Sequence, residues 1–224
     1  MTPAPRRTAV LFWSGSAVAL SLVALGWLRH PGMSLLSVLA AATVLVIYAW
    51  IGPRAVAFVE LRSPTARLAI GCGLLAALIF AAEIVIEYVL LPRDNSSYGL
   101  VEFGSVFAIY AAVGAIVTAR GEPLSRAICG AIITAIISSL IWCICLLAIF
   151  YLFEGTARQT SVLLSEGDFD DFRRSGMASF STFMVEDLFG AVFFHLLLDP
   201  MIAMLLACAS WFAVQGTRLI SRRL

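Results

Sequence analysis

Long apolar stretches alternate with short polar breaks along most of this 224-residue chain. A hydrocarbon core ~30 Å thick needs about 20 apolar helical residues to cross it, so runs of this length predict membrane-spanning helices. The breaks contain prolines, glycines and arginines, as expected for turns between helices. The pattern predicts six spans, near residues 8–28, 33–52, 67–91, 97–119, 127–153 and 191–216.

One connection, residues 154–190, is much longer than the others. Its middle, SEGDFDDFRRSGMASF, predicts a short helix in which Asp168 is the N-cap and two further acids suit the positive end. Phe169 and Phe172 are three residues apart and would share a face of that helix. This pattern predicts an amphipathic helix lying on the membrane surface.

Composition supports the same class of protein. Hydrophobic residues make up 61% of the chain and charged residues only 13%, whereas a soluble domain has about 25% charged residues. A net charge of +1 without a basic cluster argues against nucleic-acid binding. The sequence therefore predicts an all-α, polytopic transmembrane six-helix bundle, with residues 1–224 forming a single transmembrane domain.

All fifteen basic residues are arginines, and their distribution predicts the orientation. With a cytoplasmic N-terminus, ten arginines fall in inner segments: Arg6, Arg7, Arg54, Arg62, Arg67, Arg120, Arg126, Arg218, Arg222 and Arg223. Five fall in outer segments: Arg29, Arg93, Arg158, Arg173 and Arg174. This excess predicts that both termini are cytoplasmic, in a multi-pass protein of the plasma (inner) membrane.

Two glutamates interrupt the third apolar run, in AAEIVIEYVLLPR at residues 81–93. At ~1.5 Å per residue, Glu87 lies about 6 Å and Glu83 about 12 Å below the outer end of that span. Four residues apart, they share a helix face. An ionised carboxylate facing lipid costs at least ~2.5 kcal/mol, so both side chains are expected to point into the bundle or toward water.

Other ionisable side chains lie at similar depth in the predicted outer half of the membrane. Glu102 lies early in the fourth span, and Asp187, His195 and Asp199 follow one ridge of the last helix at four-residue spacing. Pro200, next to Asp199, is expected to loosen the helix there. No arginine lies at matching depth, so the spans predict an outward-facing pocket rich in carboxylates.

Such a pocket can hold protonated carboxyls, or it can take its positive charge from a bound cation. The candidate ligands of a cation are Glu83, Glu87, Glu102, Asp187, His195 and Asp199. A divalent metal ion is one candidate, because Glu83, Glu87, His195 and Asp199 offer oxygen and nitrogen donors. Alternatively, the carboxylates near the surface reach water, and His195 is a hydrogen-bonded interior side chain.

The sequence thus favours an integral membrane protein that binds, and could transport, a cation or a cationic small solute. The alternative is a non-catalytic subunit whose carboxylates pair with a partner chain. Known hydrolase motifs are missing, so catalysis with His195 as a general base is the least supported reading.

Small residues at four-residue spacing predict close helix contacts in lipid. They occur as Gly15 and Ala19 in the first span and as Gly104, Ala108 and Ala112 in the fourth. Thr134 and Ser138 are expected to form hydrogen bonds from the fifth span to its neighbours.

Overall fold

The computed structural model describes residues 3–90 and 98–221, which form helices joined by short turns. The helices are α1 Pro3–Arg29, α2 Leu35–Val59, α3 Pro64–Val85, α4 Tyr98–Ala119, α5 Leu124–Phe153, α6 Ala157–Glu166, α7 Asp168–Ser175 and α8 Phe180–Ser221. A π-helical turn, Ile86–Leu90, continues α3. Six helices (α1 to α5 and α8) are long and apolar enough to cross a membrane, which confirms the six predicted spans.

Three span boundaries differ from the prediction, and the first two differ because the prediction treats proline as a helix breaker. Helix α2 continues through Pro53 to Val59. Pro64 lies in the first turn of α3, where its missing N–H costs no hydrogen bond, and the Ser63 side chain caps that helix. Helix α8 begins at Phe180 rather than near residue 191, which shortens the long connection to residues 154–179. The predicted break at 92–97 lies outside the described residues.

Helix α5 is the centre of the bundle and packs against α1, α2, α3, α4 and α8. Within its most apolar stretch 56% of residues are buried, against at most 33% in the other spans. The predicted hydroxyl contacts are confirmed. The Thr134 hydroxyl donates to the carbonyl of Ala69 in α3 (3.1 Å), and Ser138 shares a 2.8 Å hydrogen bond with Tyr110 of α4.

Small residues bring α1 close to α5, as predicted from Gly15 and Ala19. Ala19 is fully buried. A Cβ atom built on Gly15 would lie 3.0 Å from Leu140 Cδ2, so a side chain there would push against α5. The first helix therefore uses its small residues for packing.

The corresponding prediction for α4 is wrong. Gly104, Ala108 and Ala112 are all exposed on the surface of the bundle, and a Cβ on Gly104 would meet nothing within 4 Å. The close approach of α4 occurs instead at Gly114, where a Cβ would lie 2.7 Å from Ala207 Cα of α8. A four-residue spacing defines a stripe of small residues, but it does not say whether the stripe faces a helix or lipid.

The 154–179 segment folds as two short helices. Helix α7 confirms the predicted short helix, but the prediction that Asp168 caps it is wrong. The cap position is Gly167, which has a left-handed φ of 88° that favours glycine, and no side chain caps the helix. Phe169 stacks on Phe180 of α8 with ring centroids 4.2 Å apart, and Phe172 meets the same ring at 5.3 Å.

One end of the bundle, here called the loop end, carries residues 30–34, the π-helical turn and the 154–179 segment. Polar contacts tie its elements together. His30 Nε2 lies 2.9 Å from Glu154 Oε1, which joins the α1–α2 turn to the end of α5. Glu186 of α8 accepts hydrogen bonds from Ser34 N–H (3.2 Å) and the Ser37 hydroxyl (3.3 Å), which satisfies a free N–H near the start of α2.

Candidate functional site

A cavity of about 230 Å³ lies at the loop end, among α3, α4, α5 and α8. Five of the six side chains predicted from the sequence line it: Glu83, Glu87, Glu102, Asp187 and His195. Two more acids come from the 154–179 segment, Glu166 and Asp168. The cavity therefore brings six carboxyl groups together with one imidazole.

Helix α3 and its π-helical turn place Glu83 and Glu87, the two glutamates of the third span, in the wall of the same cavity. Glu83 lies in the last turns of α3, and Glu87 lies within the π-helical turn. π-helical turns widen the helix locally and are frequent at functional sites. A regular helix would carry the two residues on one face, and here both line the same cavity.

Glu102 projects from the start of α4 on another side of the cavity. Its side chain is only 6% exposed. The alternative that Glu102 reaches water at the membrane surface is therefore not supported. A buried carboxylate without a counter-charge is unfavourable, and it requires either a proton or a cation nearby. Glu102 is therefore expected either to be protonated or to lie close to a bound cation.

The junction of α6 and α7 closes the cavity on its fourth side. Glu166 ends α6, Asp168 begins α7, and Gly167 turns the chain between them. Glu166 is exposed by surface area, but loss of hydration beside the cavity wall, followed by the charges of Glu87 and Asp168, raises its pKa to about 7. Partial burial and then Asp187 raise the pKa of Asp168 to about 6. One oxygen of Asp168, Oδ2, is buried without a hydrogen-bond partner.

Sequence reasoning missed both of these acids as site residues. Asp168 was interpreted as a helix cap, and Glu166 lies in a connection that pattern alone reads as solvated. The sequence feature that could have indicated them is EGD at residues 166–168, in which one acid lies on each side of a glycine. The same pattern is common in solvated turns, and only the tertiary structure shows that these two acids line the cavity.

His195 is enclosed by aromatic rings. It stacks on Trp142 with ring centroids 4.0 Å apart and on Phe103 at 5.6 Å, and Phe80 meets it edge-on at 5.9 Å. Its Nδ1 atom is buried and makes no hydrogen bond. The nearest acid oxygen to Nδ1 is Asp199 Oδ2 at 3.6 Å, too far for a good hydrogen bond.

Asp199, the sixth predicted residue, does not line this cavity. It is 3% exposed, and its Oδ2 accepts a 2.6 Å hydrogen bond from the Ser139 hydroxyl of α5. Each four-residue step along an α-helix rotates by roughly 40°, so Asp199 lies well round the axis from Asp187. His195 thus stands between the cavity and this buried carboxyl.

Helix α8 is not interrupted at Pro200, although the proline removes one backbone hydrogen bond. The carbonyl that loses this bond belongs to Leu196, four residues earlier. The Tyr48 hydroxyl of α2 donates to it at 2.5 Å. The tyrosine therefore replaces the missing N–H and keeps α8 continuous between His195 and Asp199.

The candidate metal ligands do not form a compact group. Glu83, Glu87 and His195 line the cavity and Asp199 lies below it. Within residues 3–90 and 98–221, no three His, Cys, Asp or Glu side chains come together in a way that could hold a metal ion. The carboxyl groups are instead distributed around the wall.

The rest of the wall is largely aromatic and apolar. Tyr88, Phe103, Trp142 and Phe150 line the cavity together with aliphatic side chains. No arginine is among the described residues that line it. Arginines in the described part of the chain form ion pairs with acids outside the cavity, among them Glu60, Glu122, Glu154, Asp170 and Asp171.

Comparison of the chain with protein-family models, with curated proteins and with solved structures finds no match. Function therefore has to be inferred from the chemistry of the cavity. That chemistry is defined by carboxyl groups from four separate parts of the chain, an aromatic wall and the absence of arginine from the described lining.

Proposed function

We propose that this integral membrane protein binds a cation or a cationic small solute in the cavity at the loop end, as the recognition step of its transport. The observation that carries the proposal is the meeting of six carboxyl groups in one cavity whose described lining contains no arginine. Carboxyl groups gathered inside a membrane protein typically mark a pathway or a binding site for an ion.

Electrostatics supports a ligand rather than a purely structural role. Several neighbouring carboxylates cannot all ionise without a counter-charge, because burial and mutual repulsion both favour the neutral acid. Several acids outside the cavity are paired with arginine: Glu122 contacts Arg126 at 3.2 Å, and Glu60 contacts the same arginine at 3.6 Å. A cation entering the cavity would supply the charge that arginine supplies elsewhere.

The proposal includes an orientation. With both termini in the cytoplasm, as the arginine distribution favours, the loop end faces the outside of the plasma membrane and the cavity receives its ligand from there. In that orientation α7 lies at the outer membrane surface. A cation competes with protons for the same carboxyl groups, so its binding is expected to weaken as the pH falls.

The test is a thermal-shift screen of purified protein with organic cations and divalent metals, each at constant ionic strength. Ligands should raise the melting temperature of the wild type, and Glu83→Gln should weaken that response at least about tenfold in ligand concentration, since a contact to a charged group contributes about 1.5–3 kcal/mol. The variant should fold normally, because it removes a partly buried carboxyl group that has no counter-charge.

Glu186→Gln is the matched control. Glu186 lies at the same end of the bundle, but it contacts Ser34 and Ser37 and does not line the cavity. It should respond to ligands as the wild type does. If no cation stabilises the wild type, or if Glu83→Gln responds identically, the binding function is wrong. Stoichiometric co-purification with a partner would then favour the alternative, an assembly subunit.

A further inference from the structure

The six carboxyl groups surround the cavity instead of converging on one point. They come from α3 with its π-helical turn, from α4, from the α6–α7 junction and from α8. Metal ions bind through several donors that all lie about 2.0–2.6 Å from one centre. No such grouping of three donors occurs in the described residues, so a single metal ion would leave most of these carboxyls without a counter-charge.

The size of the cavity also exceeds that of an ion. Its volume is about 230 Å³, and one water molecule occupies about 30 Å³ in the liquid. The space therefore suits an organic molecule of several heavy atoms. A site for a bare ion would need to be smaller or filled with ordered water.

The wall between the carboxyls matches the carbon part of such a molecule. Aliphatic and aromatic side chains, including Ile84, Leu146 and Phe150, lie between the acids. Methylene groups gain free energy when they pack on apolar walls, and ammonium groups are attracted both to carboxylates and to the faces of Trp, Tyr and Phe. Tyr88 and Phe150 add aromatic rings to the lining, whereas Trp142 and Phe103 stack on His195.

We propose that the ligand is an extended aliphatic amine with two or more positive charges, held by carboxylates from different elements of the cavity wall. This inference rests on the proposed cation-binding function and narrows its ligand class. One ammonium group binds near Glu83 and Glu87, and a second binds near Glu166 and Asp168 at the α6–α7 junction. The unpartnered Oδ2 atom of Asp168 is one acceptor that such a group would satisfy.

Two amines of equal chain length provide the test, 1,4-diaminobutane and butylamine. Binding to the purified full-length protein is measured by isothermal titration calorimetry at pH 8 and constant ionic strength. The diamine should bind at least about tenfold more tightly than the monoamine, since a second charge-assisted contact is worth about 1.5 kcal/mol or more.

The variants Glu83→Gln and Glu166→Gln separate the two ends of the ligand. Each should weaken the diamine about tenfold, whereas butylamine should be weakened by only one of them, because it has a single ammonium group. Glu186→Gln serves as the control and should leave both dissociation constants unchanged. Glu166 lies in a short surface connection, so its variant stays informative even if Glu83→Gln fails to fold.

The outcomes distinguish this inference from the function on which it rests. Equal affinities for the two amines, with sensitivity to Glu83→Gln, would show a site for one charge and overturn the diamine class while keeping cation binding. Binding of Mg²⁺, Mn²⁺ or Zn²⁺ alone, with neither amine bound, would also overturn it in favour of a metal. If the wild type binds no amine and no metal, both proposals fail.

Discussion

The pKa of the Glu166 carboxyl depends on the neighbouring acids of the cavity. Its pKa of about 7 lies above its ordinary value of 4.5, first because of loss of hydration beside the cavity wall and then because of Glu87 and Asp168. An acid whose pKa is higher in the folded state holds its proton more tightly there than in the unfolded chain. The free energy of unfolding therefore falls as the pH rises between these two values, and it levels off above the higher one.

At this scale we expect Glu166→Gln to flatten the pH dependence of stability. Without a ligand, the melting temperature of the wild type should fall as the pH rises from about 4.5 to about 7. The variant cannot ionise, so it should fall less over that window. Ser165→Ala, at the neighbouring position on α6, should keep the wild-type slope. A variant as steep as the wild type would mean that Glu166 is not the titrating group.

The α6–α7 pair contributes one wall of the cavity, through Leu163, Glu166 and Asp168. Helix α6 contacts the π-helical turn and α5, and α7 contacts α8. A second cavity of about 260 Å³ lies next to the first, and Phe150, Leu163 and Met184 line both. These three side chains form the partition between them. The segment therefore provides part of the wall of two cavities.

The phenylalanines of α7 should be what holds this segment in place. Because Phe169 and Phe172 pack on Phe180 of α8, replacing both by serine should release residues 154–179 and increase their rate of proteolysis several-fold. The effect should persist in detergent, since the contact lies within the protein. Leu164→Ser, at an exposed position of α6, is the control. Acceleration that requires a bilayer would indicate a contact with lipid instead.

The arrangement of the whole molecule places every carboxyl group of the cavity at the loop end. Arg126 and its partners Glu60 and Glu122 lie at the opposite end of the bundle, beside the turns that follow α2 and α4. The two ends thus differ in chemistry, because the acidic cavity lies at the loop end only, although that end also has ion pairs such as Arg29–Glu154. If the proposed cation binding is correct, the orientation decides from which side the cavity receives its ligand.

Reporter fusions test that orientation. A fusion after Gly121, in the turn between α4 and α5, should report the cytoplasm, because arginines are retained on that side. A fusion after Gly155, in the turn between α5 and α6, should report the exterior. The turn at residues 61–63 is an independent control and should agree with Gly121. The reverse result would place the cavity on the cytoplasmic side and exclude uptake from outside as its role.

The sequence by itself determined the class of the protein, the number of spans and the depth of the acids. These properties depend on local partition between water and hydrocarbon, which a run of twenty apolar residues specifies without reference to the rest of the chain. The same reasoning predicted that Glu83, Glu87 and Glu102 avoid lipid. The three side chains do line one cavity.

Only the tertiary structure decided which of these groups meet and what surrounds them. Asp199 lies about 18 Å along α8 from Asp187 and is also rotated around the axis, and only the packing of the neighbouring helices determines that Asp199 lies outside the cavity. Glu166 and Trp142 line the cavity although they lie far from Glu83 in the sequence. In α4, Gly104 lies on the exposed surface, whereas Gly114 makes the close contact with α8. Such pairings depend on how helix faces pack against one another, which no single apolar run encodes.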